Sequence, residues 1–146
     1  MVELHGTARR VVCIGAAPRH GRPAGCGFEA DTTWAFEAVD AGEEDPACPR
    51  CGGLVKSATI SFGQAMDDDA MVAAHELIRA ADVVLVVGSS LQVYPAAAVP
   101  ELALQNGQPL AIVNAEPTPL DAAADVVVHG RAGEVLAPAV AAVLEG

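Results

Sequence analysis

Between Asp82 and Gly88 stand five uninterrupted aliphatic residues, Val83-Val84-Leu85-Val86-Val87. A run this short and this apolar has no polar face to give water. It reads as a strand buried on both sides, as strands of parallel sheets are. Two more runs, 110–113 and 125–128, repeat the pattern downstream. Helical spacing fills the intervals: Met71, Ala74, Leu77, Ile78 and Ala81 share one helix face behind Asp67, Asp68 and Asp69. The acids sit where the helix dipole favours negative charge, and Arg79 lies near the other end. A second helix is expected over 96–105, ended by Asn106-Gly107, and a third over 132–144, with Leu136, Val140, Val143 and Leu144 on one face. An earlier strand is expected over 54–62. Strand and helix in alternation imply an α/β fold, a partial Rossmann-like parallel sheet with helices on both faces and right-handed crossovers.

Residues 8–53 have another texture. They hold all four Cys, many Gly and Pro, and no sustained apolar period, so they are expected to be loop held by something other than a large core. The division expected, for which the resemblance named below supplies the zinc module, is 1–12 with 54–146 as the main domain and 13–53 as a small zinc-ribbon-like insert. A chain of 146 residues, 52% hydrophobic and 18% charged, is long and apolar enough for one substantial core, which excludes an extended disordered protein. With 8 Lys and Arg against 19 Asp and Glu, its net charge of −11 would repel a phosphate backbone or an anionic bilayer, so no direct nucleic-acid or membrane partner is expected. No apolar stretch approaches the roughly 20 residues of a bilayer span, and no signal-peptide core is present. The expected location is cytoplasmic, where a C-x2-C pair suits metal better than disulfides.

Parallel sheets bind ligands beyond the carboxyl ends of their strands. Gly88-Ser89-Ser90 lies at one such end and offers small residues, backbone donors and hydroxyls. Asn114 lies at the next and can hydrogen-bond a sugar hydroxyl. His75-Glu76 does not form a zinc motif, because Arg79 stands where the second His of H-E-x-x-H belongs. His129 reads as a loop residue after the last strand, and Glu43, Glu44 and Asp45 as a solvated face.

In order, the chain runs Glu3-Leu4-His5-Gly6-Thr7, the Cys segment, Cys48-x-x-Cys51-Gly52-Gly53, Phe62-Gly63-Gln64, Gly88-Ser89-Ser90-Leu91, Val93-Tyr94-Pro95-Ala96-Ala97, and Val113-Asn114 with Thr118. That ordered set resembles the C-terminal half of the sirtuins, the NAD-dependent protein lysine deacylases. The resemblance implies that His5 is the catalytic base, taking a proton from the ribose of NAD after the acyl oxygen has attacked the anomeric carbon. Imidazole, with an ordinary pKa of about 6.5, suits that task. It implies that Gly88, Ser89 and Ser90 contact the dinucleotide, that Asn114, with Ala115 and Glu116 after it, meets the adenosine ribose, and that Gly130 to Ala132 lies against adenine. Phe62, Gly63 and Gln64 on one side, and Leu91, Val93 and Tyr94 on the other, resemble the segments between which an acyl-lysine peptide pairs as an added strand.

The Cys segment resembles the family's structural zinc module, which uses two C-x2-C pairs. Cys48 and Cys51 supply one pair. Cys13 begins the other, but Ala16 replaces its partner, leaving Cys26 or His20 to complete the shell. The alternative is free thiols in a loosely ordered insert. The family's Gly-Ala-Gly-x-Ser and Gln-Asn-x-Asp motifs do not occur in these 146 residues. The chain is therefore expected to be a truncated or split deacylase, completed by a chain supplying the N-terminal half, or else a non-catalytic binding remnant.

Overall fold

The computed structural model describes residues 1–16 and 25–145, which fall into two compact units, Met1–Asp67 and Asp68–Gly146. In chain order the elements are β1 (Gly6–Gly15), β2 (Glu29–Asp31), α1 (Thr32–Asp40), β3 (Leu54–Thr59), α2 (Asp68–Arg79), β4 (Val84–Val87), α3 (Ala98–Gln105), β5 (Leu110–Asn114), a short 3-10 turn (Asp121–Ala123), β6 (Val126–His129) and α4 (Ala132–Glu145). No helix among the described residues is long and apolar enough to cross a membrane.

The first unit corrects the loop expected over 8–53. Its sheet has the order β2-β1-β3 and is antiparallel throughout. β1 escaped the apolar-run criterion because Ala8, Arg9 and Arg10 interrupt it. Those residues form a bulge, since Thr7 faces Ala58 while Val11 faces Ser57. α1 is a nine-residue helix without a buried side chain, started by Asp31, whose carboxylate accepts from the Thr33 backbone N–H at 2.9 Å. A local cap, rather than a packed face, defines its start. β3 ends at Thr59, short of the expected 62, and Phe62 and Gly63 sit in a turn.

The second unit is the expected parallel sheet, in the order β4-β5-β6. β5 is central, and its Leu110 and Ile112 are fully buried. They pack with Val84, Leu91 and Ala103, and Ile78 and Ala81 at the end of α2 and Leu104 of α3 close over the same cluster. Gln108 ties this layer to the α2 terminus by donating its side-chain amide to the Ile78 carbonyl at 2.7 Å and to that of Ala81. α4 packs on β5, whose Val113 is buried on the other face. That face continues sideways as Leu85 and Val87 of β4 and Val126 and Val128 of β6, aligned by register and all exposed. The 3-10 turn alone joins β5 to β6.

Candidate functional site

In the first unit the chain gathers its four sulfurs at one end of the β2-β1-β3 sheet. Cys13 lies near the end of β1, and its N–H donates to the Phe28 carbonyl at 3.0 Å, which continues the β1–β2 pairing and brings Cys26 alongside. Gly25 makes the approach possible, because a Cβ there would fall 1.7 Å from the Cys13 carbonyl oxygen. Cys48 and Cys51 occupy a tight turn before β3, closed by Gly52 N–H to the Cys48 carbonyl and Cys48 N–H to the Gly53 carbonyl, both at 2.8 Å. Gly52 takes the left-handed conformation, φ +69°, that the turn requires.

The resulting Sγ–Sγ distances are 3.6 Å for Cys13–Cys51 and 3.4 Å for Cys26–Cys48, with all four sulfurs within 4.8 Å of one another and none in a disulfide. A tetrahedron with metal–sulfur bonds of about 2.3 Å has edges of about 3.8 Å, so the donor set fits one zinc ion. Cys26 takes the place that Ala16 vacates, held beside Cys13 by the β1–β2 pairing and not by a C-x2-C turn. His20, the other candidate for that place, lies outside the described residues. The backbone N–H groups of Cys26 and Gly15 lower the Cys13 thiol to about 6. For Cys51 the Gly53 N–H pulls downward, but hydrogen bonds with the Cys13 and Cys26 thiols, burial and Cys48 together push it up to about 12. The lowering at Cys13 favours the thiolate, the form that ligates metal.

His5 is exposed and its position is set by its backbone: the carbonyl accepts from Ile60 N–H at 2.8 Å, and Gly6 N–H closes a turn onto the Glu3 carbonyl at 3.0 Å. Gly6 has φ +67°, and a Cβ on it would lie 2.0 Å from the Ala58 carbonyl oxygen. Phe62 is fully exposed, Gly63 has φ +79° with open space around it, and Gln64 folds back so that its side-chain oxygen accepts from Ser61 N–H at 3.3 Å.

The second unit places its candidates along one edge. Gly88 ends β4 with φ +62° and open space at its Cβ position, while its N–H donates to Val113 at 2.9 Å. Ser89 and Ser90 follow, exposed. Leu91 has the left-handed φ of +53°, which a non-glycine adopts at a cost of about 1–2 kcal/mol, and burial of its side chain in the core cluster holds it there. Val93 and Tyr94 are exposed, and the Tyr94 hydroxyl donates to Glu101, which raises the phenol's pKa. Asn114 ends β5 and donates its side-chain amide to the Glu116 carbonyl at 2.8 Å, which fixes Ala115 and Glu116 as an exposed turn. Ala132 begins α4 just after β6.

His129, read from sequence as a loop residue, in fact closes β6 and stands in register with Asn114. Its Nε2 lies 3.4 Å from Asp121 Oδ2, and Asp121 Oδ1 accepts from the buried Thr118 hydroxyl at 2.5 Å. The signal that could have found it was its place at the end of the last apolar run, level with Asn114 at the end of the preceding one.

The Sir2 family model matches residues 1–95. NAD-dependent protein deacetylase 2 of Streptomyces coelicolor is 40% identical over 136 residues, covering 93% of this chain and 52% of the relative. NAD-dependent protein deacylase of Thermococcus kodakarensis is 38% identical over 136 residues, covering 93% and 50%. A solved Sir2 complex with a p53 peptide and NAD+ superposes with a TM-score of 0.84 at 27% identity, covering 99% of this chain and 56% of that one. The chain spans about half the length of the curated relatives it matches. A model match over well more than half of these residues, with the sheet and the four-sulfur cluster alongside it, shows that the chain belongs to the Sir2 family.

Proposed function

We propose that this chain carries the cofactor-holding and peptide-holding portion of an NAD-dependent protein lysine deacetylase or deacylase. One observation carries the reading furthest: three adjacent parallel strands of a Sir2-family chain end, in order, at Gly88-Ser89-Ser90, Asn114 and Gly130-Arg131-Ala132. That edge is where doubly wound sheets receive dinucleotides. The open space around Gly88 leaves room for a ligand to approach the backbone, and Ser89, Ser90, Asn114, Ala115, Glu116 and Ala132 are the residues that would hold NAD. When bound, NAD supplies the anomeric carbon that takes the acyl oxygen as nicotinamide leaves. His5 then accepts a ribose hydroxyl proton, and the turn at Gly6 holds its backbone for that role. Phe62, Gly63 and Gln64, and separately Leu91, Val93 and Tyr94, offer backbone to an acyl-lysine peptide as an added strand, a mode that tolerates many peptide sequences.

In functional terms residues 13–53 form the zinc module and 1–12 with 54–146 the catalytic portion. The partner that completes the cofactor site is a polypeptide carrying the half of the relatives that this chain does not match. The open edge of β4 and the exposed row Leu85, Val87, Val126 and Val128 support such a partner, since an unpaired edge beside a bare apolar face is a template for added structure. Four thiols kept as metal ligands suit the cytoplasm.

The test is nicotinamide release from NAD and an acetylated peptide, with the chain alone and with the unmatched half of a relative supplied as a second polypeptide. Release is expected only with both present, and His5→Ala abolishes it. Turnover by the chain alone that His5→Ala leaves intact, or no turnover in the mixture, overturns the reading.

A further inference from the structure

His129 is a polar residue of the second unit that no role above absorbs. It ends β6 directly beside Asn114, because the two residues are register partners on adjacent parallel strands and the Gly130 N–H donates to the Asn114 carbonyl at 3.0 Å. Their side chains therefore leave the same face, at the carboxyl edge. The imidazole is held from behind. Its Nε2 faces the Asp121 carboxylate at 3.4 Å, and that carboxylate is fixed by the Thr118 hydroxyl at 2.5 Å. Thr118 is itself buried and accepts from Leu120 N–H at 3.3 Å. The chain Thr118–Asp121–His129 thus runs from the interior outward to an imidazole whose side chain is 46% exposed. In the neutral ring with its proton on the Nε2 that faces the carboxylate, Nδ1 is a hydrogen-bond acceptor.

We propose that His129 is a specificity-determining residue for the nucleoside end of the dinucleotide, its Nδ1 accepting a hydrogen bond from an adenosine donor group beside Asn114. This rests on the reading of the carboxyl edge as the cofactor site. Adenosine offers two kinds of donor, the exocyclic amino group of the base and the ribose hydroxyls, and both match an acceptor nitrogen. Hypoxanthine presents a carbonyl where adenine has its amino group, so an acceptor at His129 disfavours it. Asp121 is the positioning residue, because without its carboxylate neither the tautomer nor the ring plane is fixed.

The experiment titrates the full chain, alone and with the unmatched half of a relative supplied, with three probes: ADP-ribose, its hypoxanthine counterpart, and 2′-deoxy-ADP-ribose. Imidazole and backbone amide resonances are followed throughout. ADP-ribose is expected to shift the His129 ring nitrogens together with the Gly88 and Asn114 amides. His129→Phe is expected to weaken ADP-ribose about five- to tenfold, the scale of one neutral hydrogen bond. That loss disappears for the hypoxanthine ligand if the amino group is the donor, and for the deoxy ligand if the hydroxyl is. Asp121→Asn narrows the same discrimination without abolishing it. Equal weakening of all three ligands by His129→Phe, or a lowered thermal midpoint with the discrimination unchanged, overturns the proposal in favour of a clamp between the 3-10 turn and β6. Shifts at Gly88 and Asn114 with none at His129 overturn it alone, whereas no binding of ADP-ribose even with the unmatched half of a relative supplied overturns the site reading along with it.

Discussion

The two units of this chain solve the same problem with different materials. In Met1–Asp67 the buried described residues are Thr7, Val11, Cys13, Cys48 and Gly53, and two of these five are members of the sulfur cluster. In Asp68–Gly146 they include Val84, Leu91, Ala103, Leu110 and Ile112, a continuous aliphatic cluster. The first unit has few fully buried apolar side chains to offset the entropy of ordering its chain, so a zinc ion held by the four sulfurs is expected to supply what packing does not. The second can stand on burial. Structural zinc in small modules is worth about 10–16 kcal/mol, as much as the whole stability of an ordinary domain. Removing it has the largest effect expected anywhere in the molecule. The single Trp and single Tyr divide conveniently, Trp34 in the first unit and Tyr94 in the second. Trp34 packs edge-to-face on Phe28 with centroids 5.1 Å apart. The purified chain is expected to carry one zinc, and a strong chelator or Cys48→Ser should red-shift Trp34 emission while leaving the helical signal of the second unit. Trp34 emission indifferent to the chelator would mean that the first unit is packed after all.

The reverse test removes packing from the second unit. Ile112→Ala deletes a fully buried side chain in the central strand and should cost about 3 kcal/mol, within the usual range for such truncations. The urea midpoint read through Tyr94 should fall and that read through Trp34 should hold. Both moving together would break the separation of the units. A smaller effect, about 2 kcal/mol, is expected from Gly6→Ala in the first unit, since it combines a left-handed φ with a clash against the Ala58 carbonyl. It should lower the Trp34 transition and not the Tyr94 transition.

The same contrast explains what could be read in advance. The strands of the second unit are legible because parallel strands are written as unbroken apolar runs, although the burial on both sides expected of β4 is not found: Leu85 and Val87 are exposed, as are Val126 and Val128 of β6. Each expected strand there begins or ends within one residue of β4, β5 and β6. The first unit was opaque because its order is not written in hydrophobic period. β1 carries Arg9 and Arg10 through its middle, and α1 buries no side chain fully, resting only its half-buried Trp34, Ala35 and Ala38 toward the sheet. The one local signal there, Asp31 before Thr32 and Thr33, is a helix start that lacks the apolar spacing usually demanded beside it. The sulfur cluster was half legible: Cys48 and Cys51 announce themselves by spacing, whereas Cys26 reaches Cys13 through strand pairing, which no spacing rule encodes. The candidate site residues rest on the ordered family motifs, and the proposed role of His129 rests on register with Asn114 and on Asp121, which no sequence motif encodes.

The two units also share a device, a carboxylate held by a threonine, and acid should expose it where no metal intervenes. Asp31 accepts from the Thr33 N–H and hydroxyl, and Asp121 from the Thr118 hydroxyl; both carboxyls are held below the usual range, chiefly by those hydrogen bonds. A carboxyl whose folded pKa is depressed adds stability above its unfolded value, near 3.8, and loses it as the pH falls through the lower folded value. In the first unit this small effect is masked, because protonation of the thiolates releases the metal first. In the second unit it is open to measurement. The Tyr94 thermal midpoint of the unaltered chain should drop more steeply between about pH 5 and pH 2 than that of Asp121→Asn, which has no carboxyl to protonate. Equal slopes would show that the Thr118–Asp121 bond carries none of the second unit's acid sensitivity, and that the imidazole of His129 is positioned by a contact with little hold of its own.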